Sequence, residues 1–217
     1  MREPVPEFDE FGKTPWPMAQ LARGNLQSAL EGFATRHLLA CRRRWQFYGD
    51  NDLSGLGAVL WLMEDRLGAA NVWAFATEEA TKGRFKYSST GTLQPGLLLW
   101  FASVWLKDED WHDEASALFD KMFRRKAPMM SGRFQLQLAK LLRREISLEE
   151  VRAAYTDMRS QDRDGAEREV LFYAGVRAYE EGNVEETRRL WSQVPVPLDR
   201  EGELEFYLLM HERKKLG

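Results

Sequence analysis

Three aromatic residues, Phe119, Tyr155 and Trp191, recur at intervals of 36 residues and constrain this chain more than any other feature. Four residues before each stands a small or β-branched one: Ala115, Val151 and Thr187. Leu148 and Val184 keep the same interval. A separation of four places both members of a pair on one helix face. A period of roughly 20–50 residues marks a stack of small units, none able to bury its apolar stripe alone. The chain is therefore expected to be all-α, an array of helical hairpins.

The rest of the pattern agrees. Beyond residue 17 the prolines are Pro95, Pro128, Pro195 and Pro197, and the segments between them carry apolar residues at helical spacing. No segment alternates with period two, and no Asn-Gly or Asp-Gly turn separates apolar runs. The spacing predicts helices over roughly 17–23, 25–47, 53–63, 66–82, 95–108, 110–126, 132–144, 147–159, 165–181, 183–194 and 200–214. Five hairpins and a terminal helix result, with residues 1–16 as an extended segment and 17–217 as one domain.

The last hairpin is the clearest, "EVLFYAGVRAYEEGNVEETRRLWSQVP". Gly175 leaves room for the partner helix, and Gly182 with Asn183 closes the first helix, because glycine adopts the left-handed conformation cheaply. Val184, Thr187 and Trp191 line the inner face of the second helix. With Gly175, Gly182, Thr187 and Trp191 at these places, the chain resembles the tetratricopeptide repeat family. "ARGNLQSALEGF" at 22–33 resembles the same second half through Gly24, Leu26, Ala29 and Phe33. In the hairpin at 132–159, Ala139 stands for the first glycine and Ile146 for the second. The hairpin at 53–82 departs most, aligning only with Asp65 at its turn.

The resemblance implies a right-handed solenoid whose first helices line a partner-binding groove. Its groove positions fall on Glu169, Phe172, Val176 and Tyr179, on Arg133, Leu136, Lys140 and Arg143, and on Leu97, Trp100, Val104 and Lys107. Such a groove is basic in its middle and aromatic at its ends, and suits an acidic segment with an apolar anchor. Two further contact candidates lie outside it. Tyr87 sits in "RFKYSSTGTLQ" (84–94), a joint longer than a simple helical turn needs. Asp110 belongs to the acidic run "KDEDWHDEA" (107–115), which reads as a solvated helix start or as a contact for a basic partner.

Catalytic signals are missing. His37, His112 and His211 fall in different units. His37 and Cys41 share a helix face, but no second Cys/His pair completes a metal site. "GTLQPG" spaces Gly91 and Gly96 like a phosphate loop, yet Leu97 and Leu98 stand where lysine and a hydroxyl are needed. No cofactor, no metal and no enzymatic activity are expected. The formal charge of −3 argues against nucleic acid. One cysteine suits a reducing compartment, the acidic "MREPVPEFDEFGKTPWP" lacks a signal-like apolar stretch, and no run is long enough to span a bilayer. A cytoplasmic protein is expected. The tryptophan-rich middle and "QPGLLLWFASVW" resemble helical immunity proteins encoded beside bacterial polymorphic toxins. That resemblance implies a scaffold that binds and neutralises a toxin domain; a secretion chaperone or adaptor, and an RNA-binding helical array, stay open as alternatives.

Overall fold

A computed structural model describes residues 16–42, 49–83, 93–124, 130–155, 160–195 and 203–217. Among them the chain forms eleven α-helices and no strand. In order these are α1 (Trp16–Ala22), α2 (Leu26–Arg42), α3 (Gly49–Leu62), α4 (Arg66–Thr81), α5 (Gln94–Leu106) and α6 (Glu109–Phe123). There follow α7 (Met130–Leu142), α8 (Leu148–Ala154), α9 (Ser160–Glu180), α10 (Val184–Ser192) and α11 (Leu204–Leu216). All eleven expected helices are present; α3 and α9 begin four and five residues earlier than the spacing predicts, and α11 four residues later.

Five of the helices end in the same way. Gly24, Glu64, Lys107, Arg144 and Gly182 each have positive φ, between 56° and 77°. The N–H of the next residue reaches a carbonyl five residues back: Asn25 to Gln20, Asp65 to Leu60, Asp108 to Ser103, Glu145 to Lys140 and Asn183 to Ala178. This left-handed stop satisfies carbonyls that a helix end leaves orphaned. After four of these stops the following helix is capped by a side chain. Asp65, Asp108, Ser147 and Asn183 accept from the N–H groups of Gly68, Trp111, Glu150 and Glu186. The α7–α8 turn thus closes at Arg144 (φ 61°), not at Ile146 as the family alignment implied, because the extra residues there precede the Ser147 cap.

Two hairpins share a second device. A Cβ on Gly175 would lie 2.1 Å from Trp191 Nε1, and one on Gly57 2.3 Å from Trp73 Nε1. Each indole brings its N–H edge against the bare backbone of the facing helix. Its N–H donates to the carbonyl three residues before that glycine, Phe172 at 3.1 Å and Ser54 at 3.1 Å. The α3–α4 pair, which matched the family least in sequence, therefore carries the same joint as α9–α10. The residues of the 36-residue register are also equivalent in burial: Phe119, Tyr155 and Trp191 are all interior, as are Ala115, Val151 and Thr187.

Hairpin partners pack on each other, and most neighbouring hairpins touch. Two contacts depart from a simple stack. First, α5 reaches α9 directly, across the intervening α7–α8 pair. Phe101 on α5 meets Trp61 at 4.7 Å on one side and Phe172 at 5.2 Å on the other, between ring centroids. Second, α11 packs against α3, α9 and α10. The inner face that the family alignment leaves open as a groove is filled by an aromatic core and by α11.

Candidate interaction surface

The expected groove residues separate into three groups. Trp100 and Phe172 are interior, 4% and 0% exposed. Trp100 packs on His112 and Phe119, and Phe172 on Phe101, Tyr173 and Trp191. Val176 and Leu97 are buried as well. These positions are corrected from groove to core, because Trp100 is covered by α6 and Phe172 by α5 and α10.

In the second group Lys140, Arg143 and Glu169 are partly buried. Arg143 pairs with Asp120 and Glu145, and its guanidinium lies 5.4 Å from the Phe123 ring centre. It ties α7 to α6, and holds the Asp120 carboxyl below its usual pKa chiefly through that hydrogen bond. Lys140 lies half-buried one turn earlier on α7. Arg133 belongs to α7, but its side chain is outside the described residues, as are Cys41's side chain and the whole of Tyr87 and Phe85. Glu169 on α9 has its pKa pushed well up, mainly by burial and then by Glu205 and Glu203 nearby. Of the three basic residues expected in the middle of the groove, Arg143 is neutralised by Asp120 and Glu145.

The third group converges. Lys107, at the left-handed end of α5, and Tyr179, near the end of α9, line one cleft of about 590 Å³. Ser103, Asp108, Glu109, His112, Asp113 and Glu180 complete most of its wall. The side chains are placed by the turn chemistry described above. The Asp108 carboxylate caps α6 through the Trp111 N–H at 3.0 Å, which directs Glu109 and Asp113 along its first turns. Tyr179 is fixed by stacking on Trp105, centroids 4.3 Å apart. His112 Nε2 lies 3.2 Å from Glu180 Oε1, and Arg144 reaches Glu180 and Glu181 from outside. Asp110 is exposed on the same helix, next to this rim.

The cleft is acidic: four carboxylates and one lysine line it. Ser103, His112 and Glu180 stand in it together, yet they do not form a nucleophile and base. The Ser103 hydroxyl is buried and donates to the Trp100 carbonyl at 2.8 Å. Among the described residues no group of His, Cys, Asp and Glu converges as a metal site. None of the described helices is long and apolar enough to cross a membrane.

A buried carboxylate centre was missed in the sequence. Glu212 on α11 is 1% exposed. It accepts from Trp61 Nε1 (2.8 Å), Trp105 Nε1 (2.8 Å) and Arg66 Nη2 (2.9 and 3.1 Å). Two turns earlier Glu205 accepts from the Tyr173 hydroxyl at 2.9 Å and from Gln94 at 3.3 Å. Burial raises its pKa, with those two hydrogen bonds acting the other way. The available signal was two acids inside a leucine stripe, at positions 205, 208, 209 and 212.

Fold and surface together define an all-α protein of paired helices with an acidic cleft at one hairpin turn. Comparison with protein-family models, with curated proteins and with solved structures returned no match.

Proposed function

We propose that the chain is a non-enzymatic protein-binding scaffold, a tetratricopeptide-like right-handed array of hairpins, acting as an immunity protein that binds and neutralises a toxin domain. What supports the array is the turn used five times, a left-handed stop with the same five-back hydrogen bond. Units that repeat in this way present ordered, rigid surfaces with little ordering cost left for binding. The partner-facing surface is the acidic cleft between α5, α6 and α9. Its carboxylates suit a basic segment, and Tyr179 offers an aromatic wall for a lysine stem or an arginine plane. The same charge repels a phosphate backbone, so an RNA-binding role finds no support at this surface.

The experiment is co-expression with the product of the neighbouring gene. The proposal expects a stable binary complex and relief of any growth arrest that product causes alone. Failure of the two chains to associate, with growth arrest unchanged, would sink the immunity reading.

A further inference from the structure

A second cavity, of about 450 Å³, lies between α10 and the last turns of α11, on other elements than the acidic cleft. Its chemistry is the reverse of the cleft's. Arg188, Arg213 and Lys214 line it together with Trp191, Met210 and Leu216, and no acidic side chain does. In a chain with more acidic than basic residues, that wall is a local inversion of charge. Cations near a helix end suit the macrodipole, and α11 carries Arg213, Lys214 and Lys215 in its last turn. Lys215 is taken up by Glu64 at 2.6 Å. Arg213 and Lys214 are exposed, and among the described residues neither meets a carboxylate.

The rest of the wall is fixed before any ligand arrives. Arg188 donates from Nε and Nη2 to the Leu216 carbonyl, at 2.9 and 2.5 Å, and from Nη1 to Glu185. Its charge is thereby met, and the uncompensated charge comes from Arg213 and Lys214. Trp191 is fully buried, with its N–H committed to the Phe172 carbonyl and its ring stacked on Trp105 and Phe172. Met210 and Leu216 are half-buried beside it. Two free cations thus border partly exposed apolar surface on a rigid base. Small-molecule sites commonly combine an apolar wall with a few charged groups, in about 300–1,000 Å³.

We propose that this cavity binds a small amphipathic anion, a carboxylate or phosphate monoester carried on an aromatic or aliphatic body. The head group pairs with Arg213 and Lys214, and the body packs on Met210 and Leu216 over Trp191. An inorganic anion leaves the apolar wall uncovered, and a neutral aromatic leaves the two cations unpaired. Both parts of the ligand are therefore needed. The inference is independent of the protein-binding reading, since it uses neither the acidic cleft nor a protein partner.

The test is a calorimetric titration of the full chain with β-naphthoate and with β-naphthyl phosphate. β-Naphthylmethanol serves as the neutral analogue and inorganic phosphate as the bare anion. At least one naphthyl anion should bind saturably, about five-fold or more tighter than either control. Whichever anion binds tighter identifies the head group as carboxylate or phosphate. Arg213→Gln/Lys214→Gln should keep the circular dichroism spectrum and lose that advantage. Added salt should weaken the anion on the wild-type chain, which reads the charge requirement without a variant. The Met210 methyl resonance should move on binding, which places the ligand in this cavity. Absence of saturable binding by both anions, or equal affinity for either control, overturns the proposal. So does binding that neither salt nor the double substitution weakens, or a Met210 resonance that stays put. None of these results bears on the acidic cleft, and a cleft that binds nothing leaves them unchanged.

Discussion

The hairpins α3–α4 and α9–α10 are built on one plan and differ in how openly they display it. Shifted by 118 residues, Gly57 and Trp73 fall on Gly175 and Trp191, and Asp65 falls on Asn183. Both tryptophans lie on a glycine of the facing helix and bond the carbonyl three residues before it. At the turn, however, Glu64 stands where the other hairpin has Gly182, with φ of 68° against 77°. The position four before the tryptophan is Ala69 in one and Thr187 in the other, where the hydroxyl also bonds the Gly175 carbonyl at 3.2 Å. The interior joint carries the structure, and the turn residue is a variable that the left-handed conformation tolerates at a modest cost.

If the two joints are equivalent, Trp73→Ala and Trp191→Ala should each cost about 3–5 kcal/mol, as for other buried aromatics. Urea unfolding measures both, and a loss at one site with none at the other breaks the equivalence. Gly57→Ala and Gly175→Ala add a methyl group against an indole and should cost about 1–3 kcal/mol each by overpacking. Combining Gly175→Ala with Trp191→Leu should cost clearly less than the sum of the two, because the clash goes with the ring.

The α9–α10 hairpin differs further in lying beside buried acids, and this gives it a pH dependence. Burial raises the pKa of Glu205 and Glu169, so their folded-state values exceed the unfolded ones. Stability from such groups is complete below the unfolded carboxyl range and is lost as pH rises through the folded values. Among the described residues the charged groups facing the pair are Glu203 and Arg168, with Tyr173 from α9 and Gln94 from α5 as hydrogen-bond partners. The urea midpoint should fall as pH climbs above the ordinary carboxyl range, and Glu205→Gln should flatten that fall. A midpoint rising with pH in the wild type and unchanged in the variant would contradict it.

The smallest effect concerns the turns. A non-glycine residue in the left-handed region costs about 1–2 kcal/mol, and glycine's looser unfolded chain takes back about 0.4–1 kcal/mol. Lys107→Gly should therefore stabilise by about 0.5–1 kcal/mol. Glu64→Gly should gain less, because Glu64 also bonds Lys215 at 2.6 Å and lies 3.9 Å from Arg66.

Helix positions were legible in the sequence because amphipathic spacing, proline and Asx or serine caps are local signals. The Gly57–Trp73 joint is equally local, at a separation of 16 residues, but glycine at the turn, where this hairpin has Glu64, does not mark it. The surface was legible only in part. Lys107 and Tyr179 do meet in one cleft, but its sign is acidic, since Asp108, Glu109 and Asp113 sit at the start of α6 and Glu180 arrives from α9. Trp100 and Phe172 were assigned to an open groove by family position. Trp100 is covered by α6, its own hairpin partner, whereas Phe172 meets Phe101 of α5, a long-range packing that no periodicity encodes. Glu212 shows the same limit, because its donors Trp61 and Trp105 lie 151 and 107 residues away.

The central claim is that the cleft at the end of α5 and α9 receives a protein partner. Its most direct measurement is a calorimetric titration of the neighbouring-gene product onto the wild-type chain and onto a Glu109→Lys/Asp113→Lys variant. Both positions are removed from the core, so the variant should keep the wild-type circular dichroism spectrum. The account predicts binding to the wild type that weakens about ten-fold or more on charge reversal, in the range measured for close interfacial charges. Equal affinity of the two chains for that partner, or no binding by the wild type, would contradict it.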